Sequence, residues 1–204
     1  GRSWWGWTDS IDAYLAEAHA AAERALVLDD RDPYTYYVQA LTNFGIGRHE
    51  QSLAAAQSAV DLSPNFALGY FSLGWTRIFI GHFEAALDPL LRALRLSPND
   101  RFNFEVMREL GLAHFHVGNF EEAIYHLERS LRVRKVYGTL RVMAACLGEL
   151  GRAEEAKPVL AEMETLRPRD FAAHFRLTMN YADPAHRQRM LEALSRVGYR
   201  PPEA

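Results

Sequence analysis

The sequence predicts an all-α chain, a solenoid of stacked antiparallel helix pairs, and three observations lead there. First, one phrase returns four times: Gly47-Arg48-His49-Glu50-Gln51-Ser52, Gly81-His82-Phe83-Glu84-Ala85-Ala86, Gly118-Asn119-Phe120-Glu121-Glu122-Ala123 and Gly151-Arg152-Ala153-Glu154-Glu155-Ala156. The glycines lie 34, 37 and 33 residues apart, and a fixed period of this length is the signature of a repeat array. Second, the runs after each phrase carry apolar residues at helical spacing and stop at a proline or polar break, as at Pro64, Pro98 and Pro168. Third, no stretch alternates apolar and polar residues as a half-buried strand would.

Each part of the repeated unit has a physical reason. Glycine permits the tight turn between two helices, and the acidic residues after it suit the positive end of the second helix. Ser52, Ala86, Ala123 and Ala156, followed by Ala59 and Ala93, are small where two helix axes must cross closely. The closing proline stands where a helix has to stop. A single hairpin cannot cover its own apolar face, so neighbouring hairpins stack.

In chain order, residues 9–30 read as the second helix of a truncated first repeat, with Ala18, Ala22, Ala25 and Leu28 in register. Full repeats are expected at 33–66, 67–100, 101–136 and 137–170. The third of these carries three extra residues around Arg101-Phe102-Asn103, which lengthen its first helix or the turn before it. Residues 171–198 read as a degenerate capping pair: a helix from Phe171 to Tyr181, then one started by Asp183-Pro184 and stopped by Gly198. About eleven helices result, in one array over 1–204.

Composition excludes several function classes. A net charge of −3 gives no basic excess for phosphate backbones. One cysteine, Cys146, rules out an intramolecular disulfide framework. No apolar run is long enough to span a bilayer and no signal peptide opens the chain, so a cytoplasmic location is expected. Gly1-Arg2-Ser3 in place of an initiating Met reads as a piece of a larger protein.

The repeats resemble the tetratricopeptide (TPR) family. The match is fullest through Tyr70, Leu73, Gly74, Gly81, Phe83, Ala86, Leu90, Ala93 and Pro98, and recurs through Tyr36, Ala40, Gly47, Ala56, Ala59 and Pro64. Leu110, Gly111, Gly118, Phe120, Ala123 and Leu127 continue it, as do Leu147, Gly151, Ala156, Leu160 and Pro168. The resemblance implies a right-handed superhelix whose first helices line a concave, partner-binding groove. Transferred to this chain, that groove would hold Tyr34, Tyr37, Leu41, Phe44, Phe71, Trp75, Ile78 and Phe79. Beyond them it would turn polar at Glu105, Arg108, Glu109, His116, Arg141 and Arg176, with Arg108 and Arg141 near neighbours on one wall. A peptide or helix with an apolar and an acidic end would suit such a surface.

Two readings stand for these residues: the aromatics either pack within the array or touch a partner, and the arginines either pair with Glu105 or Glu109 or receive an acidic ligand. Two ligand schemes of the family find no support. The carboxylate clamp needs Lys and Asn where this chain has Tyr37 and Leu41. The asparagine ladder of the sugar-transferring relatives meets Val38, Ser72, Glu109 and Val142.

Trp4-Trp5-Gly6-Trp7 is expected to cover the open end of the solenoid, or to enter a groove or a second copy. No catalytic residue, cofactor or metal site is expected. His114 and His116, two apart on a helix, point about 200° apart and cannot chelate one ion. His114 takes a core aromatic's place, and His49, His82, His126 and His186 look scattered, without paired carboxylates.

Phrases such as Gly6-Trp7-Thr8-Asp9-Ser10, Leu112-Ala113-His114-Phe115 and Ala144-Ala145-Cys146-Leu147-Gly148-Glu149-Leu150-Gly151-Arg152 further resemble the TPR tails of bacterial class III adenylate/guanylate cyclases and winged-helix regulators. A non-catalytic protein–protein interaction scaffold is therefore expected, as the regulatory region of a bacterial signalling protein. A homodimerisation module and a substrate-recruiting accessory domain of an enzyme are the alternatives. Partners would be another protein or peptide or a second copy, with neither nucleic acid nor membrane.

Overall fold

The computed structural model describes residues 11–200, so Trp4, Trp5 and Trp7 lie outside the described residues. Among those residues it has eleven helices and no strand. In order they are α1 (Ile11–Leu28), α2 (Pro33–Gly45), α3 (His49–Leu62), α4 (Ala67–Phe79), α5 (Phe83–Leu96) and α6 (Asn103–Val117). Then follow α7 (Phe120–Val133), α8 (Tyr137–Glu149), α9 (Ala153–Thr165), α10 (Phe171–Thr178) and α11 (Pro184–Arg196). No helix among them is long and apolar enough to cross a membrane.

The four signature glycines close the hairpins as their spacing required. Gly47, Gly81, Gly118 and Gly151 all have positive φ, between +69° and +96°. After each, the next amide reaches back to a carbonyl five residues earlier: Arg48 to Asn43, His82 to Arg77, Asn119 to His114 and Arg152 to Leu147, at 2.8–2.9 Å. This closure satisfies carbonyls that a helix end leaves unpaired. At the other ends, Asp32 and Asp183 accept amide hydrogen bonds one residue before Pro33 and Pro184, a helix-start arrangement.

Small residues sit where the axes cross. Gly74 lies so close to α5 that an added Cβ would stand 2.5 Å from Leu90 Cγ. Gly111 repeats the arrangement against Leu127 Cγ, again at 2.5 Å. Ser52 donates to Ala40 O at 2.8 Å and lies 2.9 Å from Thr76 Oγ1, tying three successive helices at one buried point. Ser130 does the same with Phe104 O and Thr139 Oγ1. Pro89 lies inside α5 and cannot bond Ala85 O; the Arg77 guanidinium donates to that carbonyl instead, at 2.8 Å.

The extra residues of the 101–136 unit are spent in two places. α6 has 15 residues against 13 in α4, and Arg101-Phe102 forms a turn before it.

The C-terminal pair departs from the simple stack. α10 ends at Thr178 rather than near Tyr181, and residues 179–183 run on without helix. α11 then packs on α8 where Gly148 has no side chain, so closely that a Cβ there would overlap Ala193 O. At the start of α8, Tyr137 and Tyr199 join their hydroxyls at 2.6 Å.

Candidate functional site

The inner helices α2, α4, α6 and α8 present the face on which a ligand site was expected. Its aromatic residues form one continuous cluster. Phe44 lies 4.1 Å from the Trp75 ring centroid and 4.8 Å from that of Phe79. Phe71 stacks parallel to Trp75, and Tyr37 packs edge-on against Phe66. Tyr37, Phe44, Phe71, Trp75, Ile78 and Phe79 are all buried and Leu41 is half-buried, whereas Tyr34 is 54% exposed. Burial of this extent needs a cover, and the chain supplies one.

Over Phe44 and Phe79 that cover is the segment from α10 to the start of α11, whereas Tyr37 and Phe71 pack against Phe66 and Phe102. Asn180 Nδ2 donates to Phe44 O at 2.9 Å, and the Ala182 amide donates to Phe79 O at 2.8 Å. Between them the Tyr181 ring lies 4.8 Å from Phe79, and its hydroxyl is 2.8 Å from His116 Nε2. Leu177 reaches Leu15 of α1, and the His186 and Phe83 rings meet edge-on. Arg189 donates to His116 O at 2.6 Å. Residues 136 positions apart thus meet across the inner face.

The charges of the polar wall are largely paired within the chain. The Arg108 guanidinium bridges Glu105 and Glu109, each at 2.5 Å. Burial opposes its charge, but Glu105 and then Glu109 more than offset this and hold its pKa above the ordinary range. Glu105 is shifted up by burial, with Arg108 opposing. A Cβ added at Gly138 of α8 would stand 3.4 Å from Arg108 Nη1, and Arg108 lines one small cavity with Arg141, the neighbour predicted one repeat on. Arg141 is 3% exposed and donates to Thr178 Oγ1 at 2.9 Å and Thr178 O at 3.2 Å.

A cavity of about 20 Å³, room for about one water, lies among Trp75, Arg108, Glu109, Arg141 and Thr178. Glu109 Oε2 and Arg141 Nε have no hydrogen-bond partner among the described residues, so a single water there has polar groups to bridge. Of the expected cations only Arg176 is exposed; it borders a 250 Å³ cleft with Gly45, Ile46 and Asn180.

Burial lowers the His116 pKa to about 3, helped by Arg189 and His186, so this ring is neutral at pH 7. His174 is likewise lowered to about 3 by burial, then by Arg141 and Arg108. Burial raises the Cys146 thiol, which makes it an inert core side chain.

One grouping escaped the sequence reading. His126 is not without a carboxylate: its Nε2 lies 3.4 Å from Glu122 Oε1, one helical turn earlier on α7. The hairpin at Gly118 then brings His114 of α6 against it, with the two imidazoles stacked 5.4 Å apart. His114 is accordingly only half-buried instead of a core aromatic's replacement. The spacing of Glu122 and His126 was visible, but the partner across the turn follows only from the pairing of the helices.

Comparison with known proteins agrees with this architecture. Residues 71–134 match the model of the tetratricopeptide repeat family. The fold is a TPR solenoid. A thermophilic TPR protein of Thermus thermophilus is similar over 81% of this chain and 90% of its own, with a TM-score of 0.68 and 22% identity. MamA of Desulfovibrio magneticus, from residue 41 to its end, is similar over 76% of this chain and 88% of its own, with a TM-score of 0.62 and 16% identity. A structure of the anaphase-promoting complex hetero-tetramer Cut9–Hcn1 is similar over 92% of this chain and 38% of its own, with a TM-score of 0.68 and 20% identity. At such identities the likeness is one of fold. Comparison with curated proteins gives no match. TPR folds serve in general as non-catalytic scaffolds for protein–protein interaction.

Proposed function

We propose that this chain is a non-catalytic interaction scaffold that receives a peptide or helix of a partner protein on its inner face. What carries this reading is that the face already accommodates a non-helical segment of the chain. Residues 179–182 lie across it through one side-chain and one backbone hydrogen bond and an aromatic anchor, Tyr181. A ligand with an aromatic side chain and extended backbone would meet the same carbonyls of Phe44 and Phe79. It would begin at the exposed Tyr34 end or beside Arg176 and take over the path of residues 179–182. In this reading Tyr37, Leu41, Phe44, Phe71, Trp75, Ile78 and Phe79 form the floor, and Arg108, His116 and Arg141 shape it rather than attract charge.

The parent we propose, from the resemblance of sequence phrases, is a bacterial signalling protein such as a nucleotide cyclase, with this segment as its regulatory arm. A second reading, homodimerisation, draws on Val27 and Leu28, apolar side chains 87% and 88% exposed at the end of α1.

A photoreactive amino acid placed at Tyr34 or at Arg176, with Tyr125 of the outer helix α7 as control, tests both in cells. Crosslinks from the two inner positions to one other protein, with none from Tyr125, support the scaffold reading. Crosslinks to a second copy of this chain favour homodimerisation. Crosslinks from Tyr125 alone refute the use of the inner face.

A further inference from the structure

We propose that His114, Glu122 and His126 form a binding site for a divalent metal ion of the zinc class, between α6 and α7. Each residue offers one ligand atom, and these atoms all lie within 4.8 Å of one another. Two imidazole nitrogens and a carboxylate oxygen are a donor set that suits Zn²⁺, Ni²⁺ or Cu²⁺ over Mg²⁺ or Ca²⁺. Three protein ligands leave a fourth tetrahedral position for water.

Two further observations support the assignment. His126 is only 5% exposed, yet its Nδ1 has no hydrogen-bond partner among the described residues, and neither has Nδ1 of His114. An unpartnered buried ring nitrogen forfeits solvation; His49, His116, His174 and His186 also carry one, and what sets His114 and His126 apart is that their two rings converge with a carboxylate. Arg129, the cation acting on His126, is drawn aside over the Tyr125 ring at 5.4 Å.

Binding requires a small local adjustment. Metal–ligand bonds of about 2.0–2.2 Å place tetrahedral donors roughly 3.4 Å apart, so ligand atoms now within 4.8 Å of one another must close in by up to about 1.4 Å. The rings are now within 7° of parallel. An imidazole lone pair lies in its ring plane, so one ring must swing out of the stack to share an ion. Glu122 is exposed on the open side of the pair and is free to turn inward. The ion would clip the two helices of one repeat across Gly118.

The test is a Co²⁺ titration of the untagged full chain, followed through the visible absorption of tetrahedral cobalt, and then displacement by Zn²⁺. Binding of one equivalent, displaced by Zn²⁺, is expected. Glu122→Gln and His114→Phe should each weaken it at least about tenfold, since even outer partners of metal ligands are worth about 10–100-fold. His82→Gln, on the turn before α5, should leave it unchanged. Glu122→Gln alters an exposed side chain, so it keeps the test decisive should a histidine variant fail to fold. No cobalt band up to millimolar Co²⁺, or the same binding in Glu122→Gln and His114→Phe as in the wild type, would overturn the site.

Discussion

Replacing Tyr181 by Ala is expected to release residues 179–183 from the inner face while the array stays folded. Tyr181 is 7% exposed, packs on Phe79 at 4.8 Å and places its hydroxyl 2.8 Å from His116 Nε2. Truncating a buried aromatic costs about 3–5 kcal/mol. The orphaned His116 nitrogen is worth about 1–3 kcal/mol by itself, but the two losses share a site and do not add. With about 1.4 kcal/mol per decade, the protection of the Ala182 amide should fall by about two to three and a half orders of magnitude. Hydrogen exchange read on a peptide covering 179–186, with one from α5 as reference, measures this directly. Tyr181→Phe keeps the ring and should fall between wild type and Ala. Unchanged protection at 179–186 in Tyr181→Ala would refute the anchoring role. Equal loss in both peptides would refute the separation of this segment from the array.

Other perturbations probe the frame. Gly74→Ala and Gly111→Ala each place a Cβ 2.5 Å from a leucine Cγ; overpacking of about 1–3 kcal/mol should exceed the helix-propensity gain of about 1 kcal/mol and lower the urea midpoint. Arg108→Ala leaves Glu105 and Glu109 buried around a missing cation, and thermal unfolding should report a loss of about 3–5 kcal/mol. Acid should destabilise the chain through His116 and His174, whose folded pKa values of about 3 lie below the ordinary 6.5. The unfolded rings bind protons first as pH falls, so their contribution is intact above pH 6.5 and is lost toward pH 3. At pH 5 the loss is about 2 kcal/mol per ring, and His116→Gln should remove its share of the slope.

The repeat frame was legible because each of its parts is local. A glycine needs positive φ where a hairpin turns, and Gly47, Gly81, Gly118 and Gly151 adopt it. Small residues must stand at crossings, and Ser52, Ala86, Ala123 and Ala156 are fully buried. The inner helices were also legible, since Tyr37, Phe44, Trp75 and Phe79 share one face. Hidden from the sequence was what covers that face. A pairing between Asn180 and Phe44 spans 136 residues, and no period or spacing records it. The pairing of Arg108 with Glu105 and Glu109 stood as one of two readings, and the structure realises it. His114 meeting His126 likewise depends on helix pairing across a turn, which periodicity alone does not align.

The segment over the inner face changes what a ligand must do to bind there. A docked state favoured by about 3 kcal/mol leaves the face open in under about 1% of molecules, which weakens a ligand that needs the same path by about a hundredfold. Tyr181→Ala would then tighten that ligand by up to the same factor, although the variant removes an anchor and adds no contact. A ligand confined to the Tyr34 end or to the cleft beside Arg176 would bind the variant and the wild type alike. Affinity measured for the two proteins with one purified partner therefore separates displacement from side-by-side binding. Weaker binding by the variant would contradict both, because it would make Tyr181 itself part of the ligand surface despite its burial.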